Sequence, residues 1–129
     1  MIGIWAEHAR TFLLVFGIVA GLAFALPIFL VPLAWARAFR WRLPDDTDLA
    51  IYFGRCLGVL AIVLGGFTLW AGVTGDGVEQ LFQIMISVFI GMTIVHIVGA
   101  IQRIQPMTET IEIAFWGGLI LLGLAFYPG

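Results

Sequence analysis

Apolar residues run through this chain in four long blocks, about 11–36, 49–72, 78–102 and 108–127, separated by short polar breaks. Each block is close to or beyond the ~20 residues an α-helix needs to cross ~30 Å of hydrocarbon. None alternates with the period of two that marks a half-buried strand. The pattern predicts an all-α polytopic membrane protein, a four-transmembrane-helix bundle, with 1–129 as a single transmembrane domain. The breaks carry recognisable signals. Pro27 and Pro32 fall in the second half of the first block and predict a kink, or an early end near Pro32 with an interfacial turn after it. Residues 37–48 form the one strongly polar stretch, and Thr47 or Asp48 is placed to N-cap the second span. Gly75 and Gly77 bracket Asp76 in a turn. Gln105-Pro106 breaks the third span, and Thr108 is placed to cap the fourth.

Composition strengthens this picture. Of the 129 residues, 62% are hydrophobic and 11% charged, against roughly 45–50% and about 25% in soluble domains. A chain this short has too small an interior to hide that much apolar surface from water. The expected surroundings are therefore a lipid bilayer. The net charge of −2 and the absence of any Lys leave no polybasic patch, so no nucleic-acid partner is expected.

Arginines orient the spans. Arg37, Arg40 and Arg42 lie in the first connection and Arg103 in the third, whereas the second has none. The positive-inside rule places the first and third connections in the cytoplasm and both termini outside, in a bacterial inner membrane. Trp35 and Trp41 then fall at one interface and Trp5 and Trp70 at the other.

Helices in lipid associate through close packing and polar contacts. Small residues at Gly17, Gly21, Gly54, Gly58, Gly65 and Gly118 mark the expected close approaches, within the bundle or against another subunit. Cys56 is the one cysteine. It permits no intrachain disulfide or C-x-x-C pair, and it reads as a small packing residue.

Candidate chemistry is confined to residues that are costly to leave in hydrocarbon, where a central charge costs at least ~2.5–3.5 kcal/mol on insertion scales. These are Arg55, His96 and Glu112, with Arg103 and Glu109 nearer the interface. At ~1.5 Å per residue, Arg55, His96 and Glu112 lie at similar depth from the same side. They are expected to converge, with Tyr52 and Gln102 or Arg103 as neighbours. The convergence would be either an ion pair that holds the helices in register or a functional polar pocket. No metal or cofactor is assigned. A haem between two histidines would need a second subunit, and Asp45, Asp46 and Asp48 lack EF-hand spacing, reading instead as a solvated capping run. No catalytic residue is assigned, since there is no phosphate-binding Gly loop, no H-E-x-x-H, and no nucleophile beside a base.

The stretch from Pro32 to Trp70 resembles the DoxX-like group of small four-helix membrane proteins. The likeness lies in a first span ending on Pro, a short connection with Arg and Trp, another Pro, and a second span opening on an Arg-x-x-Gly core. That core here is Tyr52-Phe53-Gly54-Arg55-Cys56-Leu57-Gly58. The resemblance implies a non-catalytic accessory or assembly subunit beside other membrane proteins, some of them redox or quinone-linked, with Arg55 matching the motif. The reading drawn from the polar residues alone differs: a binder or carrier of a lipid, quinone or small hydrophobic solute, alone or as a homo-oligomer.

Overall fold

The computed structural model describes residues 2–129, which are helical in five segments. Helix α1 spans Ala6–Leu30, α2 Pro32–Ala38, α3 Asp48–Thr74, α4 Val78–Gln102 and α5 Met107–Ala125. All but α2 are long and apolar enough to cross a membrane. Large side chains point outward, as with Leu60, Phe67 and Trp70 of α3, each more than 60% exposed. Apolar surface on this scale is stable against lipid and not against water.

The two prolines of the first block act differently. Pro27 has no N–H to return to the preceding turn. Just before it, Gly21–Ala25 winds as a π-helical turn, and the Leu26 N–H reaches back to the Gly21 carbonyl. Pro32 ends the span. Its ring disfavours the α conformation in the residue before it, and Val31 takes φ −136°, ψ 58°. The first span is therefore shorter than the apolar block, and α2 restarts on Pro32 as a separate segment over the end of the bundle. The apolar pattern extends to residue 36 because α2 continues it.

Helix α1 packs mainly on α3, and α4 mainly on α5. The pairs meet around Leu13, Thr68, Phe82, Met85 and Phe89, all almost fully buried. Phe12 stacks on Phe126 at a centroid distance of 4.8 Å and on Phe82 at 5.6 Å, so the half of the bundle near the termini has a dense aromatic core. Helix ends there leave carbonyls without intrahelical partners, and the N-terminal segment supplies donors. Gly3 N–H donates to Leu124 O and Trp5 N–H to Ala125 O, both at 2.9 Å. Arg10 Nε donates to Gly72 O at 3.0 Å, and its Nη2 to Val73 O.

At the opposite end two expected caps differ. Asp46 Oδ1, rather than a side chain of Thr47 or Asp48, accepts the Asp48 N–H at 3.1 Å. Thr108 does not cap α5. Its hydroxyl donates to Phe39 O, and so ties α5 to the segment after α2. Gly75 and Gly77 take φ of 85° and 70°, as the turn cluster requires.

The glycines divide into two sets. A Cβ at Gly17 would stand 2.8 Å from Leu69, at Gly54 2.7 Å from Pro32, and at Gly58 2.6 Å from Phe29. At Gly21, Gly65 and Gly118 it would meet nothing within 4 Å, so these three are not close approaches within the chain. Cys56 is exposed on the outer face of α3 and packs against no core.

Candidate functional site

The corner between α4 and α5 is the local structure that assembles the polar site. Arg103 adopts φ 56°, and Ile104 N–H bonds back to Gly99 O at 3.2 Å, a Schellman-type helix end. Here Arg103 is an exposed corner residue. Gln105 folds back against Gly99, where a Cβ would collide with its amide. Its Nε2 donates to His96 O at 2.9 Å and to Thr110 Oγ1 at 3.2 Å. This bracket fixes the register in which the last turns of α4 face the first turns of α5.

In that register His96 meets two carboxylates three residues apart, which lie on one face of α5. His96 Nε2 lies 3.0 Å from Glu109 Oε2 and 3.3 Å from Glu112 Oε2. His96 and Glu109 are buried and Glu112 partly so. Both carboxylates accept further bonds. Trp41 Nε1 donates to Glu109 Oε1 at 2.8 Å, and Trp116 Nε1 to Glu112 Oε2 at 3.2 Å. The imidazole Nδ1 lies 2.7 Å from Met92 O. The His96 and Trp116 ring centroids are 6.0 Å apart.

Of the residues read from the sequence, the structure brings His96 and Glu112 together and leaves Arg55, Tyr52 and Arg103 outside. The reason is rotational position. The α3 face carrying Gly54 and Gly58 turns inward against Pro32 and Phe29, so Arg55 and Tyr52 project outward. Arg55 borders a shallow recess formed with residues 31–34 and Ile51, and none of the described carboxylates forms an ion pair with it. Replacing Arg55 with Leu is expected to leave folded yield and thermal stability within about 0.5 kcal/mol of wild type, as for an exposed side chain without a partner. Size-exclusion profiles and unfolding in detergent check this.

Three members of the site lie outside the convergence expected from the sequence. Glu109 sits in the first turn of α5 and reads as interfacial. Trp41 lies in a connection, and Trp116 could equally have faced lipid. The Glu-x-x-Glu spacing of 109 and 112, with a histidine in the preceding span, is the signal that would have found the cluster.

Beyond Trp116, toward mid-bundle, lies an apolar cavity of about 150 Å³. All four spans line it: Phe16, Gly21 and Phe24 from α1, Gly65 from α3, Phe89 from α4, and Trp116 from α5, among others. The π-helical turn forms part of the wall, and Gly21 and Gly65 leave it wide because no side chain fills the space beside them. Phe24 also faces Phe115 and Trp35, at 6.3 and 6.2 Å between centroids. The Trp35 indole N–H is buried without an acceptor. The lining is apolar, and engineered cavities of this size and character in other proteins stay dry and admit a benzene ring. Trp116 belongs both to this cavity and to the polar cluster, so an apolar chamber and a carboxylate–imidazole group share one side chain. Comparison of the chain with protein-family models, curated proteins and solved structures finds no match.

Proposed function

We propose that this protein binds a small hydrophobic molecule of the lipid or quinone class within the membrane. The apolar part occupies the mid-bundle cavity and the polar end lies toward Glu112 and Trp116. The observation that carries the reading is the adjacency of a ring-sized apolar cavity and a buried cluster of hydrogen-bonding groups. Ligand sites commonly combine apolar walls with a few placed polar groups. In a bacterial inner membrane, with the termini outside, the polar end of the site would face the cytoplasmic leaflet.

Gly65→Leu tests this reading. A Cβ at Gly65 meets nothing and Gly65 lines the cavity, so the longer side chain is expected to grow into it. Wild-type protein in mild detergent is expected to carry a stoichiometric lipid or quinone, identified by native mass spectrometry of the complex. A short-chain benzoquinone should quench its tryptophan fluorescence saturably. Gly65→Leu should fold with wild-type helicity and lose both signals, with affinity for the benzoquinone falling at least tenfold. Equal binding by wild type and variant would place the ligand elsewhere and sink the proposal.

One observation favours a second reading, the accessory subunit implied by the DoxX-like resemblance. Arg55 is exposed on the outer face of α3, where a carboxylate from another membrane protein could meet it. Stoichiometric co-purification of a protein partner, lost in Arg55→Leu, would support that reading.

A further inference from the structure

We infer that His96, Glu109 and Glu112 form a binding site for a divalent first-row transition-metal ion. From the sequence alone, His96 offers a single imidazole and no metal is assigned. The fold adds two carboxylates, and the three ligand atoms all lie within 4.8 Å of one another.

The tautomer of His96 follows from the partner of its Nδ1. Nδ1 lies 2.7 Å from the Met92 carbonyl oxygen, which only accepts, so Nδ1 carries a proton and donates it. The second nitrogen of the neutral ring then presents a lone pair. The atoms facing that lone pair are the carboxylate oxygens of Glu109 and Glu112, at 3.0 and 3.3 Å. Among the described residues no side-chain or backbone donor reaches Nε2. Three acceptors pointed at one another repel unless a positive centre lies among them.

A proton, on Nε2 or on one of the carboxyl oxygens, and a metal ion are the candidates, and charge separates them. The cluster carries two carboxylates, and none of the described arginines pairs with either. The indole N–H groups of Trp41 and Trp116 orient the carboxylates and add no formal charge. The start of α5 contributes only a partial positive charge. One proton offsets one of two negative charges in a low-dielectric setting, whereas a divalent ion offsets both.

Geometry agrees. With ligand bonds of roughly 2.1 Å, neighbouring ligand atoms stand about 3.4 Å apart around a tetrahedral ion and about 3.0 Å apart around an octahedral one. The His96–Glu109 and His96–Glu112 separations, 3.0 and 3.3 Å, lie within this range. An imidazole whose outer nitrogen is anchored to a backbone carbonyl, and carboxylates held by their own hydrogen bonds, are the usual outer shell of a metal site. One imidazole with two carboxylates suits Zn²⁺, Fe²⁺ or Mn²⁺ better than Ca²⁺ or Mg²⁺, which favour all-oxygen shells. Three protein ligands leave at least one coordination position open.

This site does not rest on the cavity reading, and its test keeps the two apart. Detergent-purified protein is stripped with a chelator, then titrated with Zn²⁺ by calorimetry and with Co²⁺ by visible absorption. Wild type is expected to bind one equivalent per chain and to show ligand-field bands with Co²⁺. His96→Ala should abolish both. Glu112→Gln, which preserves side-chain size and an acceptor for Trp116, should lower affinity at least tenfold while retaining the fold. Gly65→Leu should bind metal as wild type does, even where it loses the hydrophobic ligand. Absence of a stoichiometric site in wild type would overturn the inference. So would equal Zn²⁺ binding by wild type and Glu112→Gln, since the bound ion would then not depend on the second carboxylate of the cluster.

Discussion

Replacing His96 with Leu is expected to destabilise the bundle by about 3–5 kcal/mol when unfolding is measured in the presence of a chelator. The substitution leaves Glu109 and Glu112 on one face of α5, buried or nearly so, with nothing between them. Stranding one member of a buried polar group costs far more than the group contributes as a whole, because desolvation of the remaining charges is no longer offset. The triple variant His96→Leu/Glu109→Leu/Glu112→Leu makes the contrast. It removes every charge at once and is expected to recover part of the lost stability. Recovery stays incomplete because the indole N–H groups of Trp41 and Trp116 lose their acceptors, and an orphaned buried donor costs about 1–3 kcal/mol. Denaturant titration in mixed micelles, followed by helical circular dichroism, reads both values. A single variant within about 1 kcal/mol of wild type would mean that the carboxylates reach water, and the site as described would not stand. Recovery in the triple variant would show that the bundle folds without these charges, so the polar groups are there for what they bind.

The architecture is legible in the sequence because lipid leaves a helix few alternatives. Without water, backbone polar groups pair within each span, so four apolar blocks give four helices. Depth is legible by the same arithmetic, since rise per residue is fixed, and it aligns His96 with Glu112. Rotational position is harder to read. Arg55 shares the depth of the cluster, but the glycine at position 54 turns that face of α3 toward Pro32 and carries the arginine outward. Glu109 fails in the opposite direction. Its place in the first turn of α5 suggests headgroups, yet the segment after α2 folds over it, and Trp41 closes the site at 2.8 Å. That covering exists because Pro32 ends the first span early. The cavity leaves no trace in the pattern at all. It depends on where three dimensions fail to be filled beside Gly21 and Gly65, and an open glycine has the same letter as a crowded one.

Substitution at Gly58 and Gly65 exposes that difference in the largest packing effect expected within this chain. Both positions lie on α3 in small-residue patterns that sequence treats alike. At Gly58 an added Cβ would stand 2.6 Å from Phe29 Cβ and 2.7 Å from the Phe29 backbone nitrogen and Cα. Side-chain rotation cannot relieve contact with a backbone, so α1 and α3 must separate. Gly58→Ala is therefore expected to cost about 1–3 kcal/mol, the range for overpacking. At Gly65 the Cβ meets open space, and alanine also removes some of glycine's helix penalty, worth up to about 1 kcal/mol in water-soluble hosts. Gly65→Ala is expected to be neutral or slightly stabilising. Paired unfolding curves in the same detergent give the sign directly. If both variants lose stability equally, the space beside Gly65 is filled in the membrane, by a bound molecule that alanine displaces or by another subunit. Adding the short-chain benzoquinone separates these cases, because a ligand raises the stability of wild type by mass action and a subunit contact does not respond to it.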